Sequence, residues 1–153
     1  MIRHILLPTD GSQRSRNAIR YGIKLARALR ARVTGLHVIP PFHPFTYRPQ
    51  MLLAYHAALA EDSEAAYRQA TLAFARRYLQ VIARAAAAAG VRCRTLHIED
   101  DQPFQAILAT AKKQRCDLIL MASHGYSGIG AVLLGSETQK VLTHSPIPVL
   151  VYR

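Results

Sequence analysis

The sequence predicts an α/β protein: a single doubly wound domain over residues 1–153, with a five-stranded parallel sheet expected in the order 3-2-1-4-5 and helices on both faces. Three observations carry the class. Short apolar runs alternate with segments of helical periodicity along the chain, with no internal repeat or low-complexity linker. The runs are almost continuously apolar, as in Leu118-Ile119-Leu120-Met121, which suits strands covered on both faces. The length of 153 residues is one domain's worth, and a domain of that size buries about 68–70% of its unfolded surface.

Residues 4–8 form the first apolar strand and 12–30 the first helix. At 3.6 residues per turn, Arg16, Arg20, Lys24, Arg27 and Arg30 share roughly a third of that helix's circumference, while Ala18, Ile19, Gly22, Ala26 and Leu29 point elsewhere. Residues 32–39 read as the second strand. The following stretch, 40–49, holds four prolines, two phenylalanines and a tyrosine. Proline denies it a ladder, and its aromatic residues suit a lid, a partner surface or, more plainly, a flap folded on its own domain. Residues 50–89 are helical in character, with a break expected near residue 61, where Glu61-Asp62-Ser63-Glu64 offers an N-cap. Tyr67, Ala70, Phe74, Tyr78, Ile82 and Ala85 make one sheet-facing stripe, and Gly90 suits a left-handed terminus. After a third strand at 92–98, Phe104, Ile107, Leu108 and Ala111 follow i, i+3, i+4, i+7 behind Pro103, giving a helix over 103–114. A fourth strand at 117–122, a helix at 136–144 and a last strand at 148–152 complete the alternation.

A net charge of +11 at pH 7 raises nucleic acid as a partner, because phosphate backbones bind Lys/Arg clusters through counterion release. The basic stripe of the first helix reads instead as a solvated outer face, since no aromatic or recognition motif accompanies it. Cys93 and Cys116 stand far from any C-x-x-C spacing, in apolar surroundings, and are expected as reduced buried thiols. The opening Met1-Ile-Arg-His-Ile-Leu-Leu-Pro-Thr-Asp10 has too short an apolar run for a signal peptide or a membrane span. A cytoplasmic protein with no membrane partner is expected.

In an open α/β sheet, ligands bind beyond the carboxyl ends of the strands, where the strand order reverses. Three ends would meet there: Pro8-Thr9-Asp10-Gly11-Ser12, His37-Val38, and Met121-Ala122-Ser123-His124-Gly125. Asp10 suits either a cap for the following helix or an acceptor for an adenine amino group or ribose hydroxyl. Nine residues separate Gly125 from Gly135-Ser136, which opens a helix whose first N–H groups form a ready site for phosphate oxygens. Ser136-x-x-Gln139 also fits a capping box, which needs no ligand. There is no G-x-x-x-x-G-K-[ST], and Leu133 stands where a dinucleotide fingerprint starting at Gly128 needs its third glycine. Phosphate binding, if present, is led by backbone groups.

At this point the chain resembles the universal stress protein family. The resemblance rests on residues 4–12, Leu36-His37-Val38, Asp117-Leu-Ile-Leu-Met121, Ser123-His124-Gly125, Gly135-Ser136 and Ser145-Pro-Ile-Pro-Val-Leu-Val151, and it spans the domain. The family's nucleotide-binding branch is marked by Gly-x2-Gly-x9-Gly-Ser/Thr. Here the second and third glycines, the spacing and the serine are kept, but Ala122 replaces the first glycine. A methyl group there costs on the order of 1 kcal/mol if the backbone needs positive φ, and less if only room is needed.

The resemblance implies an adenine nucleotide, ATP or AMP, with magnesium as a candidate companion ion, bound by a regulatory or stress-response module. Asp10 and Val38 would hold adenine and ribose, Pro8 and Thr9 would shape the pocket, and Met121 would form its floor. Gly125, Gly135 and Ser136 would take the phosphates, with the N–H groups of Glu137 and Thr138 and the Thr138 hydroxyl close by. Glu137 brings a negative charge into that helical turn, so its side chain is expected to point outward. Phosphoryl transfer needs positioned metal and cationic groups, which this sequence does not assure. His124 is the one candidate general base in the loop, though packing or a hydrogen bond to ligand is its plainer role. No catalytic residue or protein metal ligand is assigned. Binding is preferred over two alternatives, an ATP-hydrolysing or adenylyl-transferring enzyme and a nucleotide-free dimeric scaffold. Similar proteins pair their last strand across a two-fold axis, so a homodimer through residues 148–152 is expected.

Overall fold

Strands β1 (His4–Pro8), β2 (Arg32–Ile39), β3 (Cys93–Glu99), β4 (Leu118–Ala122) and β5 (Val149–Tyr152) pair in parallel in the order β3-β2-β1-β4-β5. The computed structural model of the chain describes residues 1–42, 64–124 and 134–153. Four helices are described: α1 (Gln13–Leu29), α2 (Glu64–Ala88), α3 (Pro103–Lys113) and α4 (Ser136–His144). The expected fold class and strand order are those observed. The expected break near residue 61, most of the proline-rich stretch (43–49) and the motif segment 125–133 lie outside the described residues.

Successive strand side chains alternate between two apolar layers. Ile5, Leu7, Val33, Leu118, Leu120 and Ala122 pack with α1 and α2 residues such as Ile19, Ile23, Leu79 and Ile82. Leu6, Leu36, Ile119 and Met121 pack with Ile107, Ala111 and Val141 of α3 and α4. Both faces of the sheet are therefore covered, which is why its central strands carry no polar alternation. Ile5, Leu6 and Leu7 are fully buried, and burying each such side chain contributes about 1.5–3 kcal/mol.

Ser12 caps α1 by accepting the Ser15 N–H at 3.1 Å, and Arg30 closes it in the left-handed conformation at φ 52°. Gly22 lets this helix approach the sheet closely, since a Cβ there would lie 2.6 Å from a Leu7 methyl. The basic stripe departs from a fully solvated face at one point. Arg16 is half-buried, and Leu29, placed off the basic stripe, is 40% exposed at the last residue of the helix. Both cysteines are free, Cys116 buried and Cys93 partly so. Burial pushes the Cys116 thiol up to about 11. Among the described residues, no helix is long and apolar enough to cross a membrane.

Candidate functional site

The parallel pairing of β1 with β2 continues to Pro8↔Leu36, whereas β1 and β4 pair only at Ile5↔Leu118 and Leu6↔Ile119. That pairing ends where the strand order reverses, which is where sheets of this kind form a crevice beyond their carboxyl ends. The three expected strand ends belong to the neighbouring strands β2, β1 and β4. Thr9 N–H donates to the Leu36 carbonyl at 2.8 Å, and Ser123 N–H to that of Tyr152 at 2.8 Å, so both exits are fixed by neighbouring strands.

The loop after β1 is held from within. The Thr9 hydroxyl oxygen accepts the Gly11 N–H at 3.1 Å and the Ser15 hydroxyl at 2.7 Å. Asp10 Oδ1 accepts the Ser12 N–H at 3.0 Å, making a local turn that sets Ser12 in place as the cap. The cap of α1 is thus Ser12, with Asp10 half-buried beside it at the rim. Gly11 has φ +82°, and a Cβ there would overlap the Tyr78 ring of α2.

His37 is the residue that the sequence named only as part of a strand end. It is 5% exposed, and its Nδ1 lies 2.8 Å from the Thr9 carbonyl oxygen. Only an N–H satisfies a carbonyl, so Nδ1 carries the proton and Nε2 is the lone pair. That Nε2 is buried without a partner among the described residues, and the ring meets Tyr78 edge-on at 5.2 Å. Burial lowers its pKa below 6.5, a shift opposed by the Thr9 carbonyl and the Asp10 charge. A histidine within the apolar run Leu36-His37-Val38 was the signal for it.

Val38 and Met121 join the same apolar layer, that of α3 and α4, with Pro8 half-buried at the end of β1. Ala122 turns to the opposite layer and is 8% exposed. It lies in β4, and among the described residues only Arg30, Arg115, Gly11 and Gly90 have positive φ. Its methyl group is therefore unstrained. His124 is 8% exposed, with Nδ1 3.1 Å from the Ser123 hydroxyl and Nε2 unpartnered among the described residues.

Across the crevice, the cap of α4 is Gly135 in an extended conformation (φ −60°, ψ 148°), with no side-chain cap. Ser136 is the first helical residue and is exposed, which corrects the capping-box alternative. The reason is that the Gly135 carbonyl already accepts the Gln139 N–H at 2.9 Å, which shifts the cap one residue earlier. Gly135 N–H donates to the Ser123 carbonyl at 2.8 Å, and the Thr138 hydroxyl donates to that of Ala122 at 3.0 Å, joining α4 to the end of β4. Glu137 turns towards α3. Its Oε2 accepts the Phe104 N–H at 2.9 Å, and Lys140 pairs with Oε1 at 3.0 Å. Gly125 lies outside the described residues.

Of the other candidates, Pro8, Thr9, Asp10, Val38, Met121, Ala122, His124, Gly135, Ser136, Glu137 and Thr138 all lie at or beside the exits of β1, β2 and β4 or in the first turn of α4. Among the described residues, no group of three or more His, Cys, Asp or Glu side chains gathers to hold a metal.

A doubly wound parallel sheet with its crevice at the reversal of strand order defines a class of α/β proteins that take ligands beyond their strand ends. Within that class, residues 1–153 match the Universal stress protein family, and the chain belongs to it. It is 31% identical over 153 residues, all of both chains, to a universal stress protein from the QAH/OAS sulfhydrylase 3′ region of Thermus aquaticus. It is 29% identical over 157 residues to universal stress protein MJ0577 of Methanocaldococcus jannaschii, covering all of this chain and 96% of that one. The solved structure of MJ0577 superposes with a TM-score of 0.74 at 26% identity, covering 99% of this chain and 95% of that one. A universal stress protein solved in complex with cAMP superposes with a TM-score of 0.70 at 24% identity, over 99% of this chain and 97% of its own, a likeness of fold.

Proposed function

We propose that this chain is a cytoplasmic binding module for an adenine nucleotide, ATP or AMP, acting through nucleotide-dependent contacts and not through turnover. The observation that carries it is the uncapped start of α4. Of the described helices that begin at this end of the sheet, Ser12 caps α1 and the Glu137 carboxylate serves α3, but among the described residues no side chain caps α4. Its first N–H groups and positive dipole end suit a phosphate. Glu137, the one acid in that turn, is committed to α3 and Lys140.

Adenine and ribose would lie against Val38, Met121 and Pro8, with Asp10 as polar acceptor and the Thr9 loop as wall. His124 Nε2, buried at the exit of β4, offers the ligand one more polar contact. Gly125, Gly135, Ser136 and the N–H groups of Glu137 and Thr138 would receive the phosphates. Magnesium, where it accompanies ATP, would arrive on the phosphates. The family relative in complex with cAMP lends support to an adenine ligand.

Titration calorimetry of the purified chain with ATP, AMP and GTP tests this. Adenine nucleotides should bind, GTP more weakly, and Asp10→Ala should weaken ATP about tenfold or more, the loss of one charge-assisted hydrogen bond. Failure of both ATP and AMP to bind sinks the proposal. Phosphate or AMP release that Asp10→Ala abolishes would instead favour the enzymatic alternative.

A further inference from the structure

Among the described residues, nine exposed cations gather at one end of the sheet, while all but one of the acids lie at the other. At the end where the strands begin, Arg3, Arg32 and Arg92 stand side by side, just before β1, at the start of β2 and just before β3. Arg32 and Arg92 are level, because Val33 and Cys93 are in register and Val33 N–H donates to the Arg92 carbonyl; Arg3 lies one residue before the His4↔Arg32 pair, with Arg32 N–H on its carbonyl. The Arg32 and Arg92 backbones are about 4.8 Å apart across the sheet. Arg27 and Arg30 join them from the end of α1, and Lys112, Lys113 and Arg115 from the end of α3. Arg94 adds to the group through its hydrogen bond to Gln114 at 2.9 Å. All of these cations are exposed.

The one described carboxylate at this end, Asp117, is engaged by the N–H groups of Arg3 at 2.8 Å and His4 at 2.9 Å. The other described acids, Asp10, Glu64, Glu99, Asp100, Asp101 and Glu137, stand at the strand exits or at helix starts on the opposite end. The described ion pairs, Arg68–Glu99 and Lys140–Glu137, use none of the basic-end residues. Complementing helix dipoles accounts for Arg27, Lys112 and Lys113. It does not account for the arginines at the strand starts.

Two further features select the partner. Of the four exposed large apolar side chains among the described residues, Met1 and Leu29 stand at this end, among the arginines. Among the described residues, no tyrosine or phenylalanine is placed among these cations to stack on a base, and the one amide side chain named there, Gln114, is taken by Arg94. A broad cluster of exposed cations with apolar tips at one end of the sheet suits a plane of phosphates over hydrocarbon better than a grooved polyanion. We infer that the strand-entry end docks peripherally on anionic phospholipid surfaces, leaving the crevice at the opposite end facing the solvent. The expectation of no membrane partner rested on the lack of an apolar span, which a peripheral contact does not need.

Flotation of the full chain with phosphatidylglycerol/phosphatidylcholine vesicles, and with phosphatidylcholine alone, tests the inference. Anionic vesicles should carry the protein at about 0.1 M salt and release it at about 0.5 M, as expected of screened surface charge. Neutral vesicles should not carry it. Combining Arg3→Glu, Arg32→Glu and Arg92→Glu should cut partitioning about tenfold or more, whereas Arg14→Glu, Arg20→Glu and Arg76→Glu together, an equal change of net charge elsewhere, should cut it less than about threefold. Should the glutamates unfold the chain, the same three arginines changed to Gln, checked by circular dichroism, carry the comparison. Leu29→Ser should weaken vesicle binding and leave any DNA binding unchanged. Equal loss in both triple variants, absence of vesicle binding, or tighter binding of duplex DNA than of vesicles at the same salt would each overturn the inference.

Discussion

His37 and His4 show how single buried residues set the chain's response to acid. His37 donates through Nδ1 to the Thr9 carbonyl, and His4 Nε2 lies 2.8 Å from the Thr34 hydroxyl. Burial lowers both pKa values below 6.5, assisted at His4 by the Arg32 charge. In the unfolded chain both imidazoles take a proton near 6.5, and in the folded chain they do so only at lower pH. Between those limits the unfolded state binds more protons, so stability falls as pH drops below about 6.5 and gains nothing from these groups above it. Thermal melts from pH 8 to pH 5 should show Tm constant in the upper part of the range and declining in the lower. His37→Asn, which keeps a donor for Thr9, should flatten that decline. An unchanged slope in the variant would show that His37 does not carry it.

At the scale of elements, the strands and helices were legible because each rests on local chemistry: apolar runs, the Ser12 cap, Pro103 in a first turn and Gly90 past a helix end. Their described ends fall within one residue of expectation, the start of α2 apart. Less legible was what tertiary neighbours decide. Ser136 has the composition of a cap, yet the approach of Ser123 and the Gly135 backbone moves the cap one residue back. Glu137 was expected to point outward, but which outward direction depends on α3, whose Phe104 N–H lies 33 positions away in sequence. Ala122 was ambiguous by sequence, since motif spacing says nothing of φ. Its place in β4 resolves the backbone question in favour of an unstrained residue. Ala122→Gly should therefore lower stability by about 0.5–1 kcal/mol, the cost of glycine in a strand. It should leave ATP affinity within about threefold by calorimetry, less than 1 kcal/mol. A tenfold gain in affinity would mean that the methyl group had been obstructing the site.

For the whole molecule, the open question is what covers β5. It is an outer strand of the sheet, its four residues are all half-buried, and the Tyr152 ring sits 5.4 Å from that of Tyr21. An apolar edge of this kind invites a second strand. The ladder tells which groups are available for one. The Pro148 carbonyl accepts from Ile119 and the Tyr152 carbonyl from Ser123, so even-numbered residues face β4 and the backbone of Val149 and Val151 faces outward. We propose a homodimer in which this edge meets its copy. Val151→Pro removes an outward N–H and leaves the internal ladder intact. Sedimentation at micromolar concentration should give a dimer for the parent chain and a monomer for the variant, with circular dichroism unchanged. If the variant remains dimeric, the contact runs through side chains or through another surface; if the parent chain sediments as a monomer, the edge is not an interface between copies.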